Sequence, residues 1–221
     1  MGGRMKRWLG AALLLAATAA RSQTAEITAS VLDDKGRPVS DAVVVAVPSD
    51  GSLRVPARPR ESVVDQVNKE FTPKVTAILV GTPVTFPNND NVRHHVYSFS
   101  PAKRFELPLY AGVPAQAVMF DKPGVVVLGC NIHDWMVGYV YVSDSPYFAK
   151  TDGNGRAVLA DLPTRSYSVR VWHPLLDVPE ESTRQSIDAT TPASFAGTWT
   201  IKLKPEVKVR RAPTAERSGR Y

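Results

Sequence analysis

One cysteine, a histidine three residues later and a methionine three residues beyond it share a single short segment, Gly129-Cys130-Asn131-Ile132-His133-Asp134-Trp135-Met136-Val137-Gly138. A thiolate and a thioether are soft donors that suit Cu(I), and imidazole suits both oxidation states of copper. Zinc accepts cysteine and histidine but has no particular use for methionine. The spacing therefore predicts a copper centre with Cys130, His133 and Met136 on one tight loop. Two imidazoles and a thiolate in a plane, with a long axial methionine, suit Cu(I) and Cu(II) almost equally, so an electron can move with little rearrangement. The second imidazole must come from elsewhere, and the chain has only four histidines: His94, His95, His133 and His173. His94 and His95 follow the Asn-rich turn Asn88-Asn89-Asp90-Asn91 and open a strand. Successive strand residues face opposite ways, so only one of the pair can reach an ion. His173, in Val171-Trp172-His173-Pro174, reads as structural.

A lone cysteine is otherwise a buried inert thiol or half of an intermolecular disulfide. Compartment sharpens the choice. Arg4, Lys6 and Arg7 precede an apolar run from Trp8 to Ala20, whose end offers the small residues Ala17-Thr18-Ala19, or Ala20-Arg21-Ser22, for cleavage. That run is short for a membrane span and reads as a secretory signal over residues 1–22, which predicts an exported, periplasmic protein without stable membrane insertion. Exported domains that use cysteine for stability need pairs, and Cys130 has no partner. The formal charge of +6 is a poor argument for nucleic acid. Much of it lies in the signal and in a basic tail, residues 205–221, that reads as disordered.

The rest of the chain must position those donors. Short Val- and Thr-rich runs separated by Gly, Pro, Asn and Asp predict an all-β protein. Strands are expected at Ile27 to Val31, Ala42 to Val47, Val75 to Val80, Val84 to Pro87, His95 to Ser100, Ala117 to Phe120, Val125 to Leu128 and Gly138 to Val142. Further strands are expected at Ala157 to Leu159, Tyr167 to Trp172 and Trp199 to Lys204. Ser49 to Arg60 reads as a linker, and Thr151-Asp152-Gly153-Asn154-Gly155 as a hairpin turn.

The segments FTPKVTAILVGTPVTFPNND, VMFDKPGVVVLGC and Cys130-x-x-His133-x-x-Met136 resemble the cupredoxins, the plastocyanin and azurin family, with the short loop of its amicyanin branch. The resemblance implies a Greek-key sandwich over residues 61–143 binding one type-1 copper. It also implies His94 as the remaining ligand, with His95 standing where the family usually has Asn. The flanking segments ASVLDDKGRPVSDAVVVAV and AKTDGNGRAVLADLPTRSYSVRV resemble the carboxypeptidase-regulatory-like, transthyretin-like sandwich, which belongs to a carbohydrate-binding-like fold group. Residues 24–50 and 145–204 would then form a smaller discontinuous sandwich around the first. This two-part layout is similar to proteins labelled as methylamine-utilisation proteins. It implies a redox protein, a dehydrogenase or a cytochrome, as donor or acceptor.

The expected activity is electron transport rather than catalysis, because copper oxidases need further histidine clusters that four histidines cannot supply. Copper storage or delivery is the alternative, against which stands the scarcity of methionine: Met1 and Met5 belong to the signal. A carbohydrate-binding surface module is a third reading, with Trp172 and Trp199 as available aromatics. Trp135 and Ile132 read either as packing or as an apolar rim beside His133.

Overall fold

The computed structural model describes residues 24–53, 59–114 and 116–206; the expected signal, part of the expected linker and the tail from 207 lie outside the described residues. Strands β1 (Thr24–Asp33), β2 (Val43–Pro48), β3 (Ser62–Val63), β4 (Asp65–Val67), β5 (Glu70–Thr72) and β6 (Val75–Leu79) come first. They are followed by β7 (Thr82–Thr85), β8 (His94–Ser100), β9 (Lys103–Tyr110), β10 (Val118–Phe120), β11 (Gly124–Gly129) and β12 (Val137–Ser143). The chain ends with β13 (Phe148–Lys150), β14 (Arg156–Pro163), β15 (Arg165–Trp172), β16 (Gln185–Ala189) and β17 (Ser194–Ile201), with a 3-10 turn at Glu180–Thr183. The protein is all-β, as expected.

Four main sheets stack in layers. The outer pair has orders β14-β1-β17 and β13-β2-β15-β16, and the inner pair β6-β12-β11-β8-β9 and β10-β7-β3. Alternation along single strands explains the stacking. In β2, Val44 and Ala46 face the outer core, beside Ile27, Tyr167 and Trp199, while Val43 and Val45 face the other way. In β12, Val140 and Val142 join the inner core, with Phe86, Phe120 and Leu128, while Tyr141 turns outward. Val43, Val45, Val75 and Tyr141 meet in a third core, so the two middle sheets are sealed face to face.

Polar contacts staple the same seam. Tyr141 donates to Glu180 Oε1 at 2.5 Å, and Arg170 reaches Glu180 at 2.8 Å and Asp144 at 2.6 Å. Lys150 Nζ donates to the Val75 carbonyl at 3.0 Å.

Two readings need correction. The last strand is Ser194–Ile201 rather than Trp199 to Lys204, because it pairs in parallel with Glu26 to Asp33 along its whole length. The Asp152 to Gly155 turn does not close a hairpin: β13 pairs with β2 and β14 with β1, so the turn carries the chain from one sheet to the other. Gly155, at φ 72°, is required there, since a Cβ would stand 2.5 Å from the Val31 carbonyl oxygen. Strands β9 and β16 carried no sequence expectation. Both sit at sheet edges and are rich in charged or polar residues, as edges are.

Candidate metal centre

Residues 130–136 are the loop between β11 and β12, an antiparallel pair whose last register is Gly129 with Val137. Two tight contacts coil the loop: Met136 N–H to the His133 carbonyl at 2.9 Å, and Val137 N–H to that of Trp135 at 3.1 Å. Gly129 also pairs with Tyr97 of β8, and a Cβ on it would stand 2.7 Å from the tyrosine ring. Glycine here lets β11 approach β8 and brings Cys130 beside the start of β8, where His94 stands.

The result is a cluster of three donors. Cys130 Sγ lies 3.9 Å from His94 Nδ1 and 3.8 Å from His133 Nδ1. All three donor atoms fall within 4.8 Å of one another. Metal–sulfur bonds of about 2.3 Å and metal–nitrogen bonds of about 2.0 Å at trigonal angles would set sulfur and nitrogen about 3.7 Å apart. The donors present therefore fit one ion with little movement. Cys130 is a free, buried thiol. Among the described residues its polar contacts are the two rings.

His94 and Cys130 are buried, whereas His133 is partly exposed, flanked by exposed Ile132 and packed against Trp135 at 5.2 Å between ring centroids. Burial, with His94 and Lys69 nearby, holds the His133 imidazole below its usual pKa. That shift favours the neutral ring, the form that coordinates a metal. Met136 is buried in the same core cluster as Cys130.

His95 points away. Its ring lies 5.6 Å from that of Tyr97 and its Nε2 is 2.9 Å from Glu106 Oε1, at an angle outside hydrogen-bonding geometry. Beyond Tyr97, Phe99 is exposed on the same face of β8. Phe105, by contrast, packs against the inner core. His173 lies in the outer half, where its Nδ1 accepts from Leu175 N–H at 3.1 Å, and burial lowers its pKa.

Sequence reasoning passed over Asp90. Its Oδ2 is 2.7 Å from His94 Nε2, and its two oxygens accept from the backbone N–H groups of Asn68 and Lys69 at 2.7 and 2.8 Å. Burial opposes its ionisation, but the Lys69 N–H, the His94 ring and the Asn68 N–H outweigh that and hold its pKa below the usual carboxylate value. A signal was available in the four-residue spacing of Asp90 and His94 across an Asn-rich turn. Asn88 holds that turn closed, donating to the carbonyls of Val92 and Tyr110 and accepting from Asp90 N–H.

No protein-family model and no curated protein matches the chain. Among solved structures, a purple cupredoxin from Nitrosopumilus maritimus aligns at 29% identity, over 38% of this chain and 99% of its own, with a TM-score of 0.33. A reduced amicyanin variant aligns at 23% identity, over 44% of this chain and 98% of its own, with a TM-score of 0.34. A copper-containing nitrite reductase from Thermus scotoductus aligns at 28% identity with a TM-score of 0.35, over 53% of this chain, which spans only 28% of the reductase. These likenesses are partial, and the functional reading rests on the donor geometry.

Proposed function

We propose that the chain is an exported, periplasmic carrier of single electrons, built as a cupredoxin unit over residues 61–143 set into a transthyretin-like sandwich of residues 24–50 and 145–204. The observation that supports this reading is the convergence of Cys130 Sγ with the Nδ1 atoms of His94 and His133 at near-bonding spacing for one ion. Met136, buried in the same core cluster as Cys130, would complete the donor set. A bound copper would supply a one-electron couple that the side chains cannot provide themselves.

The protein's own residues hold the donor set still. His94 and Cys130 sit on β strands or at their ends, buried against a packed core, so the set changes little between redox states. His133 alone of the three meets solvent, which makes its edge the contact point for a redox partner, a dehydrogenase or a cytochrome. Among the described residues no helix is long and apolar enough to cross a membrane. The buried donors favour a retained ion over one readily surrendered.

Titration of the mature protein with Cu(II) tests this reading. An intense thiolate-to-copper absorption, saturating at one equivalent and lost in Cys130→Ser, is the expected result. Absence of that band in the wild type, or rapid surrender of the metal to a chelator, would defeat the carrier assignment.

A further inference from the structure

The short hairpin β4–β5 belongs to none of the four main sheets, and its placement asks for an explanation. Its turn residues, Asn68 and Lys69, both have positive φ, 55° and 59°, which turns their two N–H groups toward one point. At that point sits the carboxylate of Asp90. The hairpin is fastened there on two sides. Gln66 N–H donates to the Pro87 carbonyl and Asn89 N–H to the Gln66 carbonyl, both at 3.1 Å, while Asn89 Nδ2 reaches Asp65 at 2.7 Å. On the other side buried Phe71 lies against Gly138, where a Cβ would stand 2.8 Å from the phenylalanine Cβ. The hairpin thus touches both the turn that leads to His94 and the strand that leaves the 130–136 loop.

We propose that Asp90, clamped by the β4–β5 turn, is a positioning residue that sets the tautomer of His94 and tunes a metal bound beside it. An ionised carboxylate accepts hydrogen bonds and cannot donate them. With two backbone N–H groups already on it, Asp90 draws the His94 proton to Nε2, at 2.7 Å. Nδ1 is then left with its lone pair directed toward Cys130 Sγ. The His94 side chain is fully buried and that of Asp90 nine-tenths buried, so water competes little for this bond. A carboxylate behind a ligating imidazole raises its basicity and favours the more highly charged metal ion. The pair therefore lowers the reduction potential of a bound copper. This second effect rests on the electron-carrier reading; the tautomer does not.

Two measurements test it separately. In the metal-free protein, two-bond 15N–1H correlation spectra should show His94 protonated at Nε2, and Asp90→Ala should shift it toward Nδ1–H. A wild-type ring protonated at Nδ1 would overturn the proposal whether or not copper binds. In the copper-loaded protein, Asp90→Ala should lose about 10–100-fold in Cu(II) affinity, and Asp90→Asn, close to isosteric but uncharged, should raise the reduction potential. Unchanged affinity and potential in both variants, with the fold verified by circular dichroism, would equally overturn it. A wild type that fails to bind Cu(II) would remove the carrier reading alone, leaving the tautomer to decide the clamp.

Discussion

The two sandwiches apply one strand alternation to different ends. The outer core closes on itself: Ile27, Leu162, Tyr167 and Trp199 are fully buried or nearly so. The polar atoms of its large aromatics are spent on backbone, Tyr167 donating to the Pro163 carbonyl at 2.7 Å and Trp199 Nε1 to that of Thr183 at 3.0 Å. The inner core is similar hydrocarbon around Phe86, Phe120, Val96 and Leu128, but at one end it finishes in Cys130 and Met136. Two imidazoles stand over that sulfur. The difference shows that the candidate metal centre is the open end of a packed core, whose stiffness holds the donors in register.

Variants that separate the two ends should behave differently. The largest effect is expected at the donors: His94→Ala should abolish the copper absorption band, whereas His95→Ala should retain it. The reverse outcome in a Cu(II) titration would mean that the face of β8 has been misassigned. Next, Trp199→Ala should cost about 3–5 kcal/mol in urea unfolding through lost packing and a cavity. The copper spectrum of its folded fraction should stay unchanged; a shifted spectrum would show the two cores to be coupled.

A smaller effect is expected at the seam. Arg170→Met removes contacts to Asp144 and Glu180 whose side chains keep 46% and 23% exposure, so the loss should be about 1–2 kcal/mol, below that of a fully buried pair. Two separate thermal transitions in that variant would mark this staple as what makes the halves melt together. The smallest effect is at the outer turn. Hydrogen bonds from the Arg37 N–H, the Arg37 side chain and the Lys35 N–H hold the Asp33 pKa down, against a burial penalty. A depressed folded-state pKa adds stability that is complete above the unfolded value, about 3.9, and is lost as pH falls through the folded value. Asp33→Asn should therefore flatten the acid limb of the melting temperature against pH while leaving the copper band unaltered at neutral pH.

Much of this architecture was legible in the residues. Short apolar or alternating runs between turn residues identified β1, β2, β6, β8, β11, β12 and β15, because each buries at least one face and the pattern records it. Strands β9 and β16 escaped because an edge strand is held by backbone pairing while its side chains meet water. Likewise β17 was misplaced toward Lys204, since its start is set by pairing with β1 and not by its own pattern. At the site, Cys130, His133 and Met136 were legible as candidates through their spacing on one loop, a local property, and the structure brings the first two together with His94. Asp90 was not legible, because its role depends on a hairpin turn some twenty residues away.

The sequence by itself determined the β class, the donor types and their short-range spacing, for these follow from composition and from periods of a few residues. Strand alternation left His94 and His95 open, with the family resemblance alone favouring His94, and the tertiary structure places His94 beside the sulfur. That outcome depends on the strand register at Gly129 and Tyr97 and on the irregular pairing between His94 and Val96, both set by contacts far apart in the chain. The layering of four sheets was decided the same way, since Val43 and Tyr141 reveal themselves as a seam only when the second sheet arrives to cover the first.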